Sequence, residues 1–182
     1  MVIKVEKISW KILYSDYSGM EKKAVELLST KMGKIINCDK GVYTLHVLPC
    51  EKLGAKADKN AVMIGKYADS DIIRNLVSGS EIPKNGYLIK VVDNPENSDY
   101  KIVVITAHTD RNLFYGAVDF VDDCLIKLAP IAGGLRTPCE VFDKKLADFE
   151  YSSAPTRRNK EYFHMGTPDK RLQTIYCQYC KT

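Results

Sequence analysis

The densest run of reactive side chains is Thr106-Ala107-His108-Thr109-Asp110-Arg111-Asn112-Leu113-Phe114-Tyr115-Gly116. It starts at the end of an apolar, β-branched segment, Ile102–Ala107, and leads into helical spacing. Backbone N–H groups at the start of a helix are free to receive an anion or a carboxylate. His108, Asp110, Arg111 and Tyr115 are therefore candidate ligand-binding residues. Each also has a purely structural reading. Asp110 can cap, Arg111 can pair with a neighbouring carboxylate, and Tyr115 with Gly116 can let a helix pack closely on a sheet. No residue is assigned a catalytic role.

Six cysteines are present, at 38, 50, 124, 139, 177 and 180. No secretory leader is visible and the chain is long enough to fold without staples, so reduced thiols are expected. Cys177-Gln-Tyr-Cys180 has the spacing of a zinc chelate or a redox couple. Zinc needs four ligands; no second pair follows, and His164 would serve as a third only if the tail folded back. The metal expectation is none, and cofactors are expected to be none. His46, between Leu45 and Val47, reads as an outward strand residue, and Asp119, Asp122 and Asp123 read as a solvated helix face. No nucleotide-binding glycine loop, nucleophile elbow or zinc-protease motif occurs.

The elements that must position these residues follow from hydrophobic period. Val2–Trp10 and Val42–Leu48 alternate like strands, and Pro49–Asn60 is polar and reads as a loop. Met20, Ala24, Leu27, Leu28 and Met32 make one helical face, with Ser18 as cap and Gly33 as stop. Ala61–Gly65 is a short buried strand, followed by a helix carrying Ile72, Ile73, Leu76 and Val77 and ended by Gly79. Gly86–Val92 and Lys101–Thr106 form a hairpin with a long tip. The longest helix, capped by Thr109 or Asp110, follows with Leu113, Phe114, Ala117, Val118, Val121, Leu125 and Leu128 on its buried face. The order β-α-β-β-α-β-β-α predicts an α+β two-layer sandwich with a mixed sheet and about three helices. A doubly wound sheet is the alternative, and the hairpin counts against it. The expected organisation is a domain over 1–129, a linker over 130–155 and a basic, aromatic tail over 156–182.

Composition narrows the class. The chain has 182 residues, 45% hydrophobic and 27% charged, which is ordinary globular usage. Residues 156–182 hold six basic and two acidic residues, so the whole +4 net charge sits in the tail. The body is neutral, and no nucleic-acid partner is expected. The longest apolar run is far too short to span a membrane. Without a visible signal peptide the expected location is the cytoplasm, or outside the cell if the chain is a fragment.

Residues 61–120 resemble a family segment. Ala61-Val62-Met63-Ile64-Gly65 is followed by a short helix, then Asn85-Gly86-Tyr87-Leu88-Ile89-Lys90, then Ile102 through Arg111 and Leu113-Phe114-Tyr115-Gly116-Ala117. The layout is similar to the non-catalytic N-terminal α+β domain that precedes the barrel in some glycoside hydrolases, the β-N-acetylhexosaminidases and α-glucuronidases. Their pattern is an I-G strand, a G-Y-x-I strand and I-x-G-x-x-x-R-G-x-x-Y-G running into a helix. Arg111, Tyr115 and Gly116 match it, while Ala107 and Asn112 stand at two of its glycines. Asp148–Pro155 looks like the connection into a first barrel strand. The resemblance implies an accessory domain whose partner is a catalytic barrel, in cis if the native chain is longer, and it carries over no catalytic residue. A stand-alone carbohydrate- or protein-binding module is the alternative, with a homodimer formed through the aromatic tail as a further expectation. The zinc or thiol role of Cys177 and Cys180 stays open.

Overall fold

A computed structural model describes residues 10–36, 47–125, 146 and 148–154. Six strands form one sheet in the order β2-β1-β3-β5-β4-β6. They are β1 (Lys11–Tyr14), β2 (Cys50–Lys52), β3 (Ala61–Lys66), β4 (Tyr87–Asp93), β5 (Lys101–Ala107) and β6 (Glu150–Ser153). The first four in spatial order run parallel, and β4 is antiparallel to both β5 and β6. The helices are α1 (Gly19–Ile36), α2 (Asp71–Leu76) and α3 (Asp110–Asp119), the last continuing into a turn of π-helix over Phe120–Cys124. The fold is α+β with a mixed sheet and three helices, as expected.

β3 and β5 are near-continuous apolar runs because both of their faces are covered. One face, with Ile12, Val62, Ile64, Val103 and Ile105, receives Ala24, Val25 and Leu28 of α1 and Leu113, Phe114 and Ala117 of α3. The other, with Leu13, Met63, Leu88, Ile102 and Val104, receives Ile73 and Val77 from and beside α2 and Ile82 beyond it. The hairpin is present as read: β4 and β5 pair from Tyr87↔Ala107 to Asp93↔Lys101. Among the described residues no helix is long and apolar enough to cross a membrane.

Several boundaries differ from the sequence reading. Residues 1–9 and 37–46, and with them most of two expected strands, lie outside the described residues. The strand pairing with the outer side of β1 falls at Cys50–Lys52, inside the stretch read as loop. It carries no apolar alternation, and only its register with Ile12–Tyr14 makes it a strand. α1 runs through Gly33 to Ile36 and is longer than α3, with 18 residues against 10. A mid-helix glycine costs about 1 kcal/mol, less than burial of Leu28 and Met32 returns. α2 stops at Leu76 with Val77 extended, and Gly79 opens a 3-10 turn instead.

The sixth strand lies within the expected linker. Glu150–Ser153 pairs with Tyr87–Lys90, so these four residues belong to the sheet. A bare α-carbon at Gly86 admits it: a Cβ there would lie 2.8 Å from the carbonyl carbon of Ser153. The Phe149 carbonyl also accepts from the Val91 amide at 2.8 Å.

Candidate functional site

The parallel part of the sheet opens on one edge, where β1, β3 and β5 end. The chain leaving β1 enters α1 on one face, while the chain leaving its neighbour β3 enters α2 on the other. Adjacent strands whose exits diverge in this way leave a crevice, the usual ligand position in open parallel sheets. Ser15 and Asp16 follow β1, Lys66 and Tyr67 end and follow β3, and His108 and Asp110 follow β5.

The site is knit by charge pairs. The Lys66 ammonium lies 2.8 Å from Asp69 Oδ2 and 3.1 Å from Asp110 Oδ1. These hydrogen bonds, Asp69's first, raise its pKa well above the usual lysine value. Asp110 stands in the first turn of α3, and the cap is Thr109, whose hydroxyl accepts from the Asn112 amide. Arg74 donates to the carbonyls of Tyr67 and Ala68 and pairs with Asp71. That fixes the turn leaving β3. The Tyr67 ring meets the His108 imidazole edge-on, with centroids 6.1 Å apart and planes at 79°. Its phenol end rests on Gly79, where a Cβ would sit 3.0 Å from Cε1.

Of the four sequence candidates, His108 and Asp110 stand at this edge, each joined to a residue leaving β3. Arg111 is exposed on the first turn of α3. Tyr115 is half-buried and packs against the main core from α3. Lys66, Tyr67 and Asp69 were not singled out by sequence reasoning. Their signal was slight: a strand ending in Lys-Tyr, some forty residues before His108.

Two buried polar groups lie behind the edge. Glu21 is only 1% exposed. It accepts from the backbone of Ser15 and Asp16 at 3.0 and 2.6 Å and from the Ser15 hydroxyl. Burial outweighs those bonds and raises its pKa. Thr106 is fully buried, and its Oγ1 has no hydrogen-bond partner among the described residues. Leaving a buried hydroxyl unpaired costs about 1–3 kcal/mol. Thr106 lies beside Gly65 in the parallel register and shares its sheet face with Val104 and Ile102, the face that α2 covers. Gly65 has no room for a side chain, since a Cβ would lie 2.7 Å from Ser15 Cβ and 3.0 Å from Ile73 Cδ1.

The acidic set on α3 departs from a solvated face. Asp119 is half-buried and accepts from the hydroxyl of Tyr87, a fully buried residue. Burial raises the pKa of both, Tyr87 far above the usual phenol range, with the Asp119 hydrogen bond as the next cause for the tyrosine. Asp122 pairs with Lys31 at 3.2 Å, and Asp123 is exposed. Cys50 and Cys124 are not in disulfides. His46, His164, Cys38, Cys139, Cys177 and Cys180 lie outside the described residues. Among the described residues no group of three or more His, Cys, Asp or Glu side chains is placed to hold a metal ion.

The edge is thus a set of held rings and neutralised charges. No family model matches the chain, and no curated protein matches it. Among solved structures, a family GH115 4-O-methyl-alpha-glucuronidase, BtGH115A, with specificity for decorated arabinogalactans, is 12% identical with a TM-score of 0.47. CpGH84D is 15% identical with a TM-score of 0.38. The matches cover 80% and 63% of this chain. Both neighbours are glycoside hydrolases, and this chain spans 17% of the length of each.

Proposed function

We propose that this chain is a non-catalytic accessory domain of a carbohydrate-active glycoside hydrolase, of the kind that precedes the barrel in β-N-acetylhexosaminidases and α-glucuronidases. One observation carries the reading. The two pieces of sequence that make the resemblance, Gly86-Tyr87 and Tyr115-Gly116, meet in space. Gly116 lies against the Tyr87 ring, so closely that a Cβ would be 3.0 Å from its Cγ. A glycine in the helix and an aromatic at the strand start are thus one packing device, which joins the two parts of the resembling pattern in this chain. The glycine of the G-Y strand, Gly86, admits β6. In this role the domain braces a barrel, and the carboxylates that cleave the glycosidic bond reside on the barrel.

The test has two arms. The purified chain is assayed against aryl β-N-acetylglucosaminides and aryl α-glucuronides, and no turnover is expected. Activity that co-purifies with the chain through repeated fractionation overturns the reading. An antibody to this domain is then used on source cells. It should capture a glycosidase barrel, either in a polypeptide longer than 20.5 kDa or as a bound chain. Capture of the lone chain, with no barrel, also overturns it.

A further inference from the structure

We infer that Asn85 is a site of spontaneous covalent modification, an intramolecular deamidation gated by the docking of β6. The reaction uses only this chain's own backbone and water, and it stands apart from the family reading.

The reactants are neighbours. Asn85-Gly86 is the one place in the sequence where glycine follows asparagine. The Gly86 amide nitrogen attacks Cγ of Asn85. That nitrogen gives up its proton, the side-chain nitrogen leaves as ammonia, and a cyclic imide closes between the two residues. Water then adds to either imide carbonyl and breaks its bond to the nitrogen, leaving aspartate or isoaspartate at position 85. A side chain at 86 would screen the attacking nitrogen, and glycine has none. Asn85 is exposed, and its side chain makes no hydrogen bond among the described residues.

The other described asparagines each lack a part. Asn94 precedes Pro95, whose nitrogen has no proton to lose. Asn97 donates to the Asp58 carbonyl and accepts from the Asp99 amide, so its side chain is held at both ends. Asn60 is buried, and Asn75 and Asn112 stand in helices before leucine.

The fold restrains the attacking nitrogen. Its N–H donates to the Pro83 carbonyl at 2.9 Å, closing the turn over Pro83–Gly86. A nitrogen so bonded neither turns toward Cγ nor gives up its proton. β6 lies against the same residue: the carbonyl carbon of Ser153 and the Cα of Ala154 stand 2.8 and 3.0 Å from where a Gly86 Cβ would be. While β6 is docked, the Gly86 backbone has no room to swing. β6 is also the element most easily lost. It has four residues, ends the sheet, and exposes Glu150 and Ser152. Short edge elements open at less cost than the sheet they join. Conversion therefore accumulates with time spent undocked. It puts a negative charge beside Lys84 and, as isoaspartate, one extra atom in the main chain ahead of β4.

The full chain is aged at mildly alkaline pH, folded and in urea, and conversion at Asn85 is followed by peptide mass mapping. The folded chain should convert about tenfold or more slowly than the unfolded one, and the slowing should be at least as large as the hydrogen-exchange protection of the Gly86 amide. Ser153→Pro removes a donor from β6 and leaves residues 83–87 unchanged. It should speed conversion of the folded chain several-fold and leave the rate in urea as it was, with Trp10 fluorescence reporting that the variant is folded. Equal rates in the folded and unfolded chain, no conversion at Asn85 in urea, slowing smaller than the Gly86 protection, or no acceleration in a folded Ser153→Pro variant overturns the proposal. The comparison with Gly86 protection needs no variant and decides the matter if Ser153→Pro fails to fold.

Discussion

Replacing Gly116 with alanine tests the contact on which the family reading rests. The added methyl would meet Tyr87 Cγ at 3.0 Å, Tyr87 Cδ2 at 3.1 Å and Ile105 Cγ2 at 3.2 Å. None of these is the loose end of a flexible chain. Tyr87 and Ile105 are fully buried, and the ring is pinned at its far end by the bond to Asp119. Overpacking of this kind costs about 1–3 kcal/mol. Against it stands the helix propensity of alanine over glycine, roughly 1 kcal/mol. Because the ring is tethered at both ends, the expected net loss is about 1 kcal/mol, a fall in Tm of about 2–4 °C for a chain of this size. Urea denaturation followed by circular dichroism and by fluorescence of Trp10, the single tryptophan, reads it. A second background sharpens the test. With Tyr87→Leu the ring atoms are gone, and Gly116→Ala should become neutral or stabilising by up to about 1 kcal/mol. The two substitutions should then couple by about 1 kcal/mol or more. Stabilisation by Gly116→Ala in the natural background would refute the reasoning, since propensity alone would then decide.

Three other perturbations follow from the same contacts. Asp119→Ala should cost about 1 kcal/mol by removing the acceptor of the Tyr87 hydroxyl, which keeps only its bond with Ser153, while Asp119→Asn keeps an acceptor and should cost less. Burial raises the Asp119 pKa, so the folded state holds that proton more tightly than the unfolded one. Its favourable contribution is full below the unfolded value near about 4 and is lost as pH rises through the raised folded value. Urea midpoints measured upward from that pH should therefore fall less steeply in the asparagine variant, and equal slopes would dismiss the argument. Gly86→Ala should push β6 off the sheet and speed hydrogen exchange of the Val91 amide, which donates to Phe149; unchanged protection would show that β6 tolerates the methyl. Lys66→Met should cost about 1 kcal/mol by leaving the buried Asp110 Oδ1 unpaired. Part of that loss should disappear in high salt, where the wild-type pair is itself weakened, and a neutral result at low salt would count against the pair.

What could be read before the structure was what the chain writes locally. β3, β4 and β5 are β-branched runs bounded by glycine, proline and asparagine, and Thr109 announces the start of α3. β2 and β6 are different, because Cys50-Glu51-Lys52 and Glu150-Tyr151-Ser152-Ser153 hold too few apolar residues to show a period. They are strands only through their partners, and partners are chosen by register over long separations. The site divides along the same line. His108 and Asp110 were legible because a helix start has its own chemistry. Lys66 and Tyr67 were not, since nothing local ties them to position 108; the tie is the parallel pairing that sets Lys66 opposite Ala107. Asp119 shows how local reading misleads. Its spacing with Asp123 describes an outward helix face, yet Gly116, one turn earlier, draws α3 down onto the Tyr87 ring and carries the carboxylate to the phenol. The glycine looks like a weak point in a helix when read alone. Its absent side chain brings the helix within reach of the strand, so the bond between Tyr87 and Asp119 depends on an atom that is not there.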